Sequence, residues 1–263
     1  MELNKIYNMD NVQGLRTLPD ECIDLTVTSP PYDDLRNYKG FCFDFENLSK
    51  ELFRVTKMGG VIVWIVNDAT KDYSESGSSF RQALGFMDVG FKLFDTMIWC
   101  KDGGGAVGSN LSYAQNFEYM FVLSKGKPKT TNLIYDKPNL SFKADKKVEV
   151  YEKSRRNVEQ TNNKKRVIKV LEKSKRNNWW VLTPTQEEGS GWHPAVYPQE
   201  LVRDHVISWS NEGDVVLDPF MGSGTTAKVA RALGRKYIGF EISEEYVKLA
   251  NKRLQDTKTL FDE

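Results

Sequence analysis

The chain has 263 residues, of which 40% are hydrophobic and 28% are charged, and its formal net charge is +1. This length suits one full α/β core with an insertion, so no second independent domain is required. No run of about twenty apolar residues occurs, which predicts no membrane span. Three cysteines without metal spacing and an N-terminus without a signal-peptide pattern predict a cytoplasmic protein. With two histidines and no Cys/His cluster, the composition argues against a zinc deaminase.

Hydrophobic periodicity predicts that strands and helices alternate along the chain. Strands are predicted near residues 23–28, 60–66, 91–99, 117–123, 213–218 and 236–240. Amphipathic helices are predicted over residues 45–56, 80–86, 198–209 and 244–254. This alternation is typical of a mainly parallel sheet with helices on both faces. Trp179 and Trp180 follow a long polar stretch, and we expect both to be buried in the core.

A proline-rich motif, Thr28-Ser29-Pro30-Pro31-Tyr32, directly follows the first of these strands. Each proline fixes its own φ and pushes the preceding residue toward extended geometry, so Ser29 and Pro30 are held rigidly. The Ser29 oxygen and the Pro30 carbonyl are then preset acceptors. A planar amine, such as the exocyclic NH2 of cytosine or adenine, can donate to both while its ring stacks on Tyr32. The alternative is a proline-rich turn that closes a strand.

Positive charge is concentrated between Lys125 and Arg176, where 17 Lys or Arg residues stand against 6 Asp or Glu residues. The rest of the chain is therefore acidic. Such a segment can neutralise several DNA phosphates, with an affinity that falls steeply as salt rises. The alternative is a solvated, partly disordered insertion. The side chains that we expect to contact DNA are Arg155, Arg156, Lys164, Lys165, Arg166, Lys175 and Arg176.

A glycine-rich loop lies between the strand predicted at 213–218 and a helical pattern that ends at Gly234. The loop reads Asp218-Pro219-Phe220-Met221-Gly222-Ser223-Gly224-Thr225, and its two glycines permit close approach of a ligand to the backbone. A second strand follows and ends in Glu241, at the position where a carboxylate accepts hydrogen bonds from ribose hydroxyls. This arrangement predicts an adenosine-containing ligand. The alternative is an ordinary βαβ turn.

The proline-rich motif, the basic segment and the glycine-rich loop, in this order, resemble the beta arrangement of the amino-methylating DNA methyltransferases. Members of that family transfer a methyl group from S-adenosylmethionine to N4 of cytosine or N6 of adenine. The resemblance covers nearly the whole chain. It implies a Rossmann-like α/β fold with a circularly permuted motif order, a mainly parallel sheet with an antiparallel strand, and a basic insertion. The segment Phe117-Glu118-Tyr119 resembles the start of that antiparallel strand.

The resemblance also implies the roles of individual residues. Asp10 would contact the adenine of the cofactor, Glu241 its ribose, and Asp218 with the glycine-rich loop its methionine end. No covalent intermediate and no metal are implied. The implied catalytic residues are Ser29, Pro30, Pro31 and Tyr32. The implied cofactor-binding residues are Asp10, His193, Pro194, Pro198, Asp218, Pro219, Phe220, Gly222, Ser223, Gly224, Thr225, Glu241 and Ile242.

Three segments follow from the resemblance: a catalytic half of the core over residues 1–124, a target-recognition insertion over 125–178, and a cofactor-binding half of the same core over 179–263. Double-stranded DNA is the implied partner, while a homodimer and a companion restriction endonuclease are left open. Ser29 resembles the N4-cytosine members and favours cytosine, with N6 of adenine as the alternative. A glutamine N-methyltransferase is disfavoured by the motif order. A DNA-binding module without catalysis is the alternative from another class.

Overall fold

The computed structural model describes residues 1–31, 44–102, 113–139, 147–151, 165–184 and 197–255. The chain divides into two compact units, one formed by Met1–Asn132 with Asn178–Glu263 and the other by Leu133–Asn177. Within the described ranges, no helix is long and apolar enough to cross a membrane. The role of the second unit in target recognition stays a prediction.

Fourteen strands and six helices lie in the described part of the chain. The strands are β1 (Lys5–Asn8), β2 (Ile23–Thr28), β3 (Thr56–Val66), β4 (Thr70–Lys71), β5 (Ser74–Glu75), β6 (Lys92–Lys101), β7 (Phe117–Ser124), β8 (Tyr135–Pro138), β9 (Lys147–Tyr151), β10 (Lys165–Lys169), β11 (Lys173–Lys175), β12 (Trp179–Leu182), β13 (Val215–Asp218) and β14 (Lys236–Glu241). The helices are α1 (Asn11–Arg16), α2 (Phe45–Val55), α3 (Ser78–Asp88), α4 (Gln199–Trp209), α5 (Thr225–Ala232) and α6 (Glu244–Gln255).

The first unit is built on an eight-stranded sheet with the strand order β1-β14-β13-β2-β3-β7-β6-β12. Its neighbouring strands pair in parallel, except that β7 runs antiparallel to both β3 and β6. In the centre of the sheet, Leu217 of β13 lies opposite Thr26 of β2. The prediction of a mainly parallel sheet with an antiparallel strand is therefore confirmed, and β7 is that strand.

Helices cover both faces of this sheet. Helices α1, α2 and α3 pack on one face, where Leu15 and Phe86 are fully buried. Helices α4, α5 and α6 pack on the other face, where Leu201 and Ala250 are fully buried. The central strands are buried on both sides, which explains the continuous apolar run from Val61 to Val66 in β3. The first unit is thus a three-layer α/β structure.

All six predicted strands and all four predicted helices are present, although several ends differ. Strand β3 begins at Thr56, and β6 continues to Lys101. Helix α1 and eight strands, β1, β4, β5 and β8 to β12, were not predicted, because elements of two to six residues show little periodicity. The expectation that both tryptophans are buried is wrong for Trp179, which is 52% exposed, and correct for Trp180, which is 6% exposed. They are successive residues of a strand and point to opposite faces.

The second unit consists of two small antiparallel ribbons, one formed by β9 with β10 and the other by β8 with β11. Lys165 and Arg166 are the first residues of β10. The Arg176 guanidinium donates through Nε to Asp136 Oδ2 at 2.7 Å and holds the pKa of that carboxyl below its ordinary value. Lys175 is exposed. Of the other residues predicted to contact DNA, Arg155, Arg156 and Lys164 lie outside the described residues.

Candidate active site

The proline-rich motif and the glycine-rich loop both follow the carboxyl ends of strands, on the same side of the sheet, which we call its carboxyl edge. Strands β2 and β13 are parallel neighbours, so their carboxyl ends lie side by side. Strand β2 ends at Thr28, immediately before Ser29, and β13 ends at Asp218, immediately before Pro219. Ligands of open parallel sheets bind outside the carboxyl ends of the strands. Two segments that lie nearly two hundred residues apart in the chain therefore form one candidate site.

The buried carboxylate of Asp218 connects the two segments. Thr28 Oγ1 donates to Asp218 Oδ1 at 2.6 Å, and the backbone N–H of Phe220 donates to the same oxygen at 3.0 Å. The Tyr197 hydroxyl donates to Asp218 Oδ2 at 3.0 Å and lies 2.7 Å from Thr226 Oγ1. Because Asp218 is 0% exposed, these donors replace water around its carboxylate. We name the Thr28, Asp218, Tyr197 and Thr226 side chains the Asp218 network.

Burial dominates the acid–base behaviour of this network. It raises the pKa of Asp218 above its ordinary value, while the hydrogen bonds from Thr28 and Thr226 act in the opposite direction. Burial also raises the pKa of Tyr197 well above its ordinary value, and the charge of Asp218 adds to this rise. Tyr197 therefore keeps its proton at neutral pH and remains a hydrogen-bond donor.

The glycine-rich loop turns sharply before α5. Gly222 has a φ of 50° and Gly224 a φ of 84°, in the left-handed region that residues with a Cβ rarely adopt. A Cβ on Gly224 would lie 2.8 Å from the Cβ of Ala250 in α6, so only glycine allows this close packing. Arg253 of α6 donates to the Ser223 carbonyl at 2.7 Å and to its hydroxyl at 2.8 Å. The backbone of the loop is therefore held by α6 as well as by the sheet.

Glu241, at the end of β14, faces the glycine-rich loop. Its Oε2 accepts the backbone N–H of Gly222 at 2.8 Å, and its Oε1 accepts the backbone N–H of Ser243 at 2.8 Å. Burial raises the pKa of Glu241, while these two hydrogen bonds lower it. The backbone N–H of Ile242 is a further donor to this carboxylate. A carboxylate has four lone pairs, so Glu241 can still accept a hydroxyl donor such as that of a ribose. The neighbouring Ile242 is 45% exposed and offers an apolar surface beside the carboxylate.

Asp10 lies on the same edge, beyond the end of β1. Strand β1 pairs with β14, with Asn8 opposite Glu241, and Asn8 Nδ2 donates to the carbonyls of Glu241 and Ile242 at 3.0 and 2.9 Å. Asp10 is half-buried and is the N-cap residue of α1, where its Oδ1 accepts the backbone N–H of Gln13 at 2.9 Å. Asp10, Glu241 and the loop thus follow three neighbouring strands along one edge.

The loop that follows β3 is held at the same edge by a second buried carboxylate. Asp68 is 2% exposed and accepts the backbone N–H of Ser79 and the hydroxyls of Ser76 and Ser78 at 3.0, 3.0 and 3.2 Å, together with the Ser79 hydroxyl. Burial opposes the ionised form, but the serine donors prevail and hold the pKa of Asp68 below its ordinary value. Because β3 is the neighbour of β2, this loop flanks the proline-rich motif.

The remaining predicted residues have the following positions. Pro30, Pro198 and Pro219 are buried, whereas Ser29 and Pro31 are half-buried. Pro198 is the N-cap residue of α4. Thr225 is buried in the first turn of α5, and the ring of Phe220 packs edge-on against Trp64, with centroids 6.1 Å apart. Tyr32, His193 and Pro194 lie outside the described residues.

Four residues of this site were given no role on the basis of the sequence: Thr28, Tyr197, Thr226 and Arg253. Each contacts a predicted residue through a side chain that is distant in the chain, such as Thr28 with Asp218. Nothing in the spacing of a single sequence indicates these pairs. Thr28 had one available signal, since it is a polar residue at the end of a fully buried strand, directly before the proline-rich motif.

Comparison with known proteins identifies the family of this chain. The model of a DNA methylase family, that of the N6 and N4 methyltransferases, matches residues 23–252. The chain is 51% identical over 242 residues to the orphan methyltransferase M.BamHII of Bacillus amyloliquefaciens, and the match covers 90% of each chain.

Among solved structures, the fold is similar to PvuII DNA methyltransferase (cytosine-N4-specific), with a TM-score of 0.69, 20% identity, and coverage of 96% of this chain and 86% of that chain. It is also similar to TTHA0409 of Thermus thermophilus, described as a DNA modification methylase and solved with S-adenosyl-L-methionine, with a TM-score of 0.65, 23% identity, and coverage of 98% and 95%. The chain belongs to the DNA methylase family and is a DNA methyltransferase of the cytosine-N4 or adenine-N6 class.

Proposed function

We propose that this protein transfers the methyl group of S-adenosylmethionine to the exocyclic amine of a base in double-stranded DNA. N4 of cytosine is the favoured target, and N6 of adenine is the alternative. The observation that carries the proposal is the adjacency of the two acceptors, at Ser29 and Pro30, to the glycine-rich loop at the ends of β2 and β13. An amine acceptor pair and a nucleotide-binding loop on one edge suit transfer between two bound partners.

The cofactor site that we propose runs along the ends of β13, β14 and β1. Glu241 accepts from the ribose with the hydrogen-bonding capacity that its backbone donors leave available. Ile242 packs against the adenine ring, and Asp10 accepts from the adenine amine. The loop from Gly222 to Thr225, with its left-handed glycines, lies against the methionine end. His193, Pro194 and Pro198 are assigned to the same end by the family resemblance.

The chemistry of the amine depends on its two acceptors. S-adenosylmethionine supplies an electrophilic methyl group on a sulfonium sulfur. The lone pair of a nucleobase amine is delocalised into the ring, so the planar amine is a weak nucleophile. The Ser29 oxygen and the Pro30 carbonyl accept its two N–H groups and favour a tetrahedral nitrogen, whose lone pair is then no longer delocalised into the ring. This lone pair would form the N–C bond as the S–CH3 bond breaks, with S-adenosylhomocysteine as the leaving group, and the methylated nitrogen would lose its extra proton to water. Orientation of the two partners then supplies most of the rate, without a strong base.

The target base must leave the duplex to reach this edge of the sheet. Extrusion costs a few kcal/mol of lost stacking. Tyr32 recovers part of this cost by stacking on the flipped base, with a contribution on the order of 1 to 3 kcal/mol. The basic segment over residues 125–178 holds the phosphates and orients the duplex.

Mass spectrometry of nucleosides tests the activity and the target base together. DNA is incubated with the protein and methyl-labelled S-adenosylmethionine, with Ser29→Ala as the inactive control and Lys252→Gln, an exposed residue of α6, as the active control. Labelled N4-methylcytosine is the expected product. Labelled N6-methyladenine would transfer the assignment to the alternative. No label in either base would refute the catalytic proposal and favour a DNA-binding module without catalysis.

We further propose a solitary enzyme rather than one paired with a restriction endonuclease. The support is the name of the relative with 51% identity, an orphan methyltransferase. Host DNA that stays intact when the gene is inactivated would agree with this proposal, and cleaved DNA would contradict it. A homodimer stays a second proposal, which sedimentation of the purified protein with and without DNA tests directly.

A further inference from the structure

We infer that Asp218 is a positioning residue, which fixes the placement of the amine acceptors relative to the glycine-rich loop instead of touching the cofactor. The inference rests on the proposed function, because it concerns the alignment of the two halves of that site. It revises the expectation from the sequence that Asp218 contacts the methionine end. Thr28 and Tyr197 become the residues through which Asp218 acts.

One oxygen of Asp218 takes a donor from each half of the site. Oδ1 accepts the hydroxyl of Thr28, the residue immediately before Ser29. It also accepts the backbone N–H of Phe220, which lies two residues before Gly222. The 2.6 Å separation from Thr28 Oγ1 is in the short range of charge-assisted O–H···O⁻ hydrogen bonds. A shift of either segment therefore stretches a strong hydrogen bond.

The second oxygen extends the network to two helices. The hydroxyl of Tyr197, which lies two residues before α4, donates its single proton to Asp218 Oδ2. Thr226, in the first turn of α5, has three acceptors within reach: the Asp218 carboxylate, the Tyr197 oxygen at 2.7 Å and the Val27 carbonyl at 3.3 Å. Val27 belongs to β2, so the path returns to the strand that carries the proline-rich motif. The contacts form a closed ring between β2, β13, α4 and α5.

The burial of Asp218 argues against direct contact with a ligand. The residue is 0% exposed, and its carboxylate already accepts from Thr28, Phe220 and Tyr197. A cofactor group could reach it only if the side chains that cover the carboxylate moved away. Buried charged groups add little to stability compared with apolar packing, but they hold their partners in one arrangement because any other leaves a charge unpaired. Alignment is therefore the property that this carboxylate provides.

The test uses Thr28→Val, which removes one donor at almost constant shape, with Thr28→Ser as the conservative control. The readout is the ratio of the DNA dissociation constants measured without and with S-adenosylhomocysteine, the demethylated product, so no turnover is required. If Asp218 aligns the two halves, binding of one partner favours binding of the other. We expect the parent protein and Thr28→Ser to show this coupling. Thr28→Val should lose it, with each separate affinity changed less than about threefold.

Turnover supplies a second readout. Thr28→Val and Tyr197→Phe should each lower the single-turnover rate of methyl transfer about tenfold or more, because small misplacements in an aligned site are costly. The double variant should lose less than the product of the two effects, since both act through one carboxylate. Independent effects that multiply, or a rate loss explained entirely by weaker cofactor binding, would overturn the inference.

The outcomes separate this inference from the proposed function. A parent protein that couples the two ligands but transfers no methyl group refutes the proposed function and leaves the alignment intact. A parent protein that methylates DNA without coupling, or a Thr28→Val variant that couples as the parent does, refutes the role of Asp218. Thermal unfolding of each variant in the absence of ligands identifies any that fail to fold. If Thr28→Val fails to fold, the coupling is measured with Tyr197→Phe instead.

Discussion

The backbone N–H of Gly222 donates to the Oε2 atom of Glu241 at 2.8 Å, which joins the glycine-rich loop after β13 to the last residue of β14. The other carboxylate oxygen accepts the N–H of Ser243, at the start of the segment that leads into α6. The side chain that we assign to the ribose therefore also supports the shape of the loop. A substitution of Glu241 removes both functions at once.

We expect Glu241→Ala to weaken the binding of S-adenosylhomocysteine by about 2 kcal/mol or more, because the ribose loses an acceptor and the Gly222 N–H loses its partner. Glu241→Gln keeps one carbonyl oxygen and should have an intermediate affinity. Titration calorimetry measures both. Glu244→Ala is the control, since Glu244 is an exposed residue of α6 that pairs only with Lys248 among the described ion pairs. Unchanged affinity in Glu241→Ala would exclude the ribose assignment.

Gly224 and Gly213 provide a matched pair for the close packing of the loop. Both have left-handed backbone angles, with φ of 84° and 83°, but a Cβ on Gly224 would meet Ala250 whereas a Cβ on Gly213 would meet nothing within 4 Å. Gly213→Ala should cost about 1 to 2 kcal/mol of unfolding free energy from backbone strain alone. Gly224→Ala should cost roughly 1 to 3 kcal/mol more, because the helix must move. Denaturant unfolding measures the two unfolding free energies. If both variants lose the same amount, α6 can shift to accommodate the added Cβ without cost.

The depressed pKa of Asp68 predicts a dependence of stability on acid. The folded pKa lies below the ordinary value of 3.8, so the stabilising contribution is fully present above that value and is lost as the pH falls through the folded pKa. We therefore expect the free energy of unfolding of the parent protein to fall more steeply than that of Asp68→Asn between about pH 5 and about pH 2. Parallel pH profiles for the two proteins would mean that Asp68 titrates normally.

The basic segment should carry DNA affinity without affecting the cofactor. Neutralising the five residues Arg155, Arg156, Lys164, Lys165 and Arg166 should reduce the slope of log K against log salt by roughly 0.9 for each phosphate that the protein no longer neutralises. The matched control neutralises five exposed lysines of the first unit, outside this segment: Lys5, Lys50, Lys92, Lys236 and Lys252. Equal slopes for the two variants would show that the effect is only one of net charge, and that the segment is a solvated insertion.

Tyr32 should act through its ring. Tyr32→Ala should lower turnover by the loss of on the order of 1 to 3 kcal/mol of stacking, while Tyr32→Phe retains most of the activity because it keeps an aromatic face. Binding of S-adenosylhomocysteine should be the same in both variants. Tyr73→Ala, at a site that is 93% exposed, controls for the loss of a tyrosine. Near-normal methylation by Tyr32→Ala would favour the alternative, in which the proline-rich motif is only a turn that closes β2.

The sequence predicted those parts of the site that are encoded by local patterns. The apolar runs of β2 and β13 and the glycines of the loop place Ser29 and Gly222 at strand ends without knowledge of the fold. The hydrogen bond between Thr28 and Asp218 spans 190 residues and depends on which strands are neighbours, which periodicity does not encode. The burial of Trp179 was wrongly predicted for a related reason. Trp179 lies in an edge strand, and which side chains of that strand are buried depends on what covers each face of the sheet.

The pairing of β2 with β13 has a consequence for how the protein folds. Most of the chain lies between these two strands, so the entropy of closing a very large loop must be overcome before the site exists. Proteins dominated by such non-local contacts fold slowly. In refolding experiments, helical signals from segments such as α2 and α3 should therefore recover before cofactor binding does. A ribosome-bound nascent chain that has not yet emerged beyond β13 should have no affinity for the cofactor.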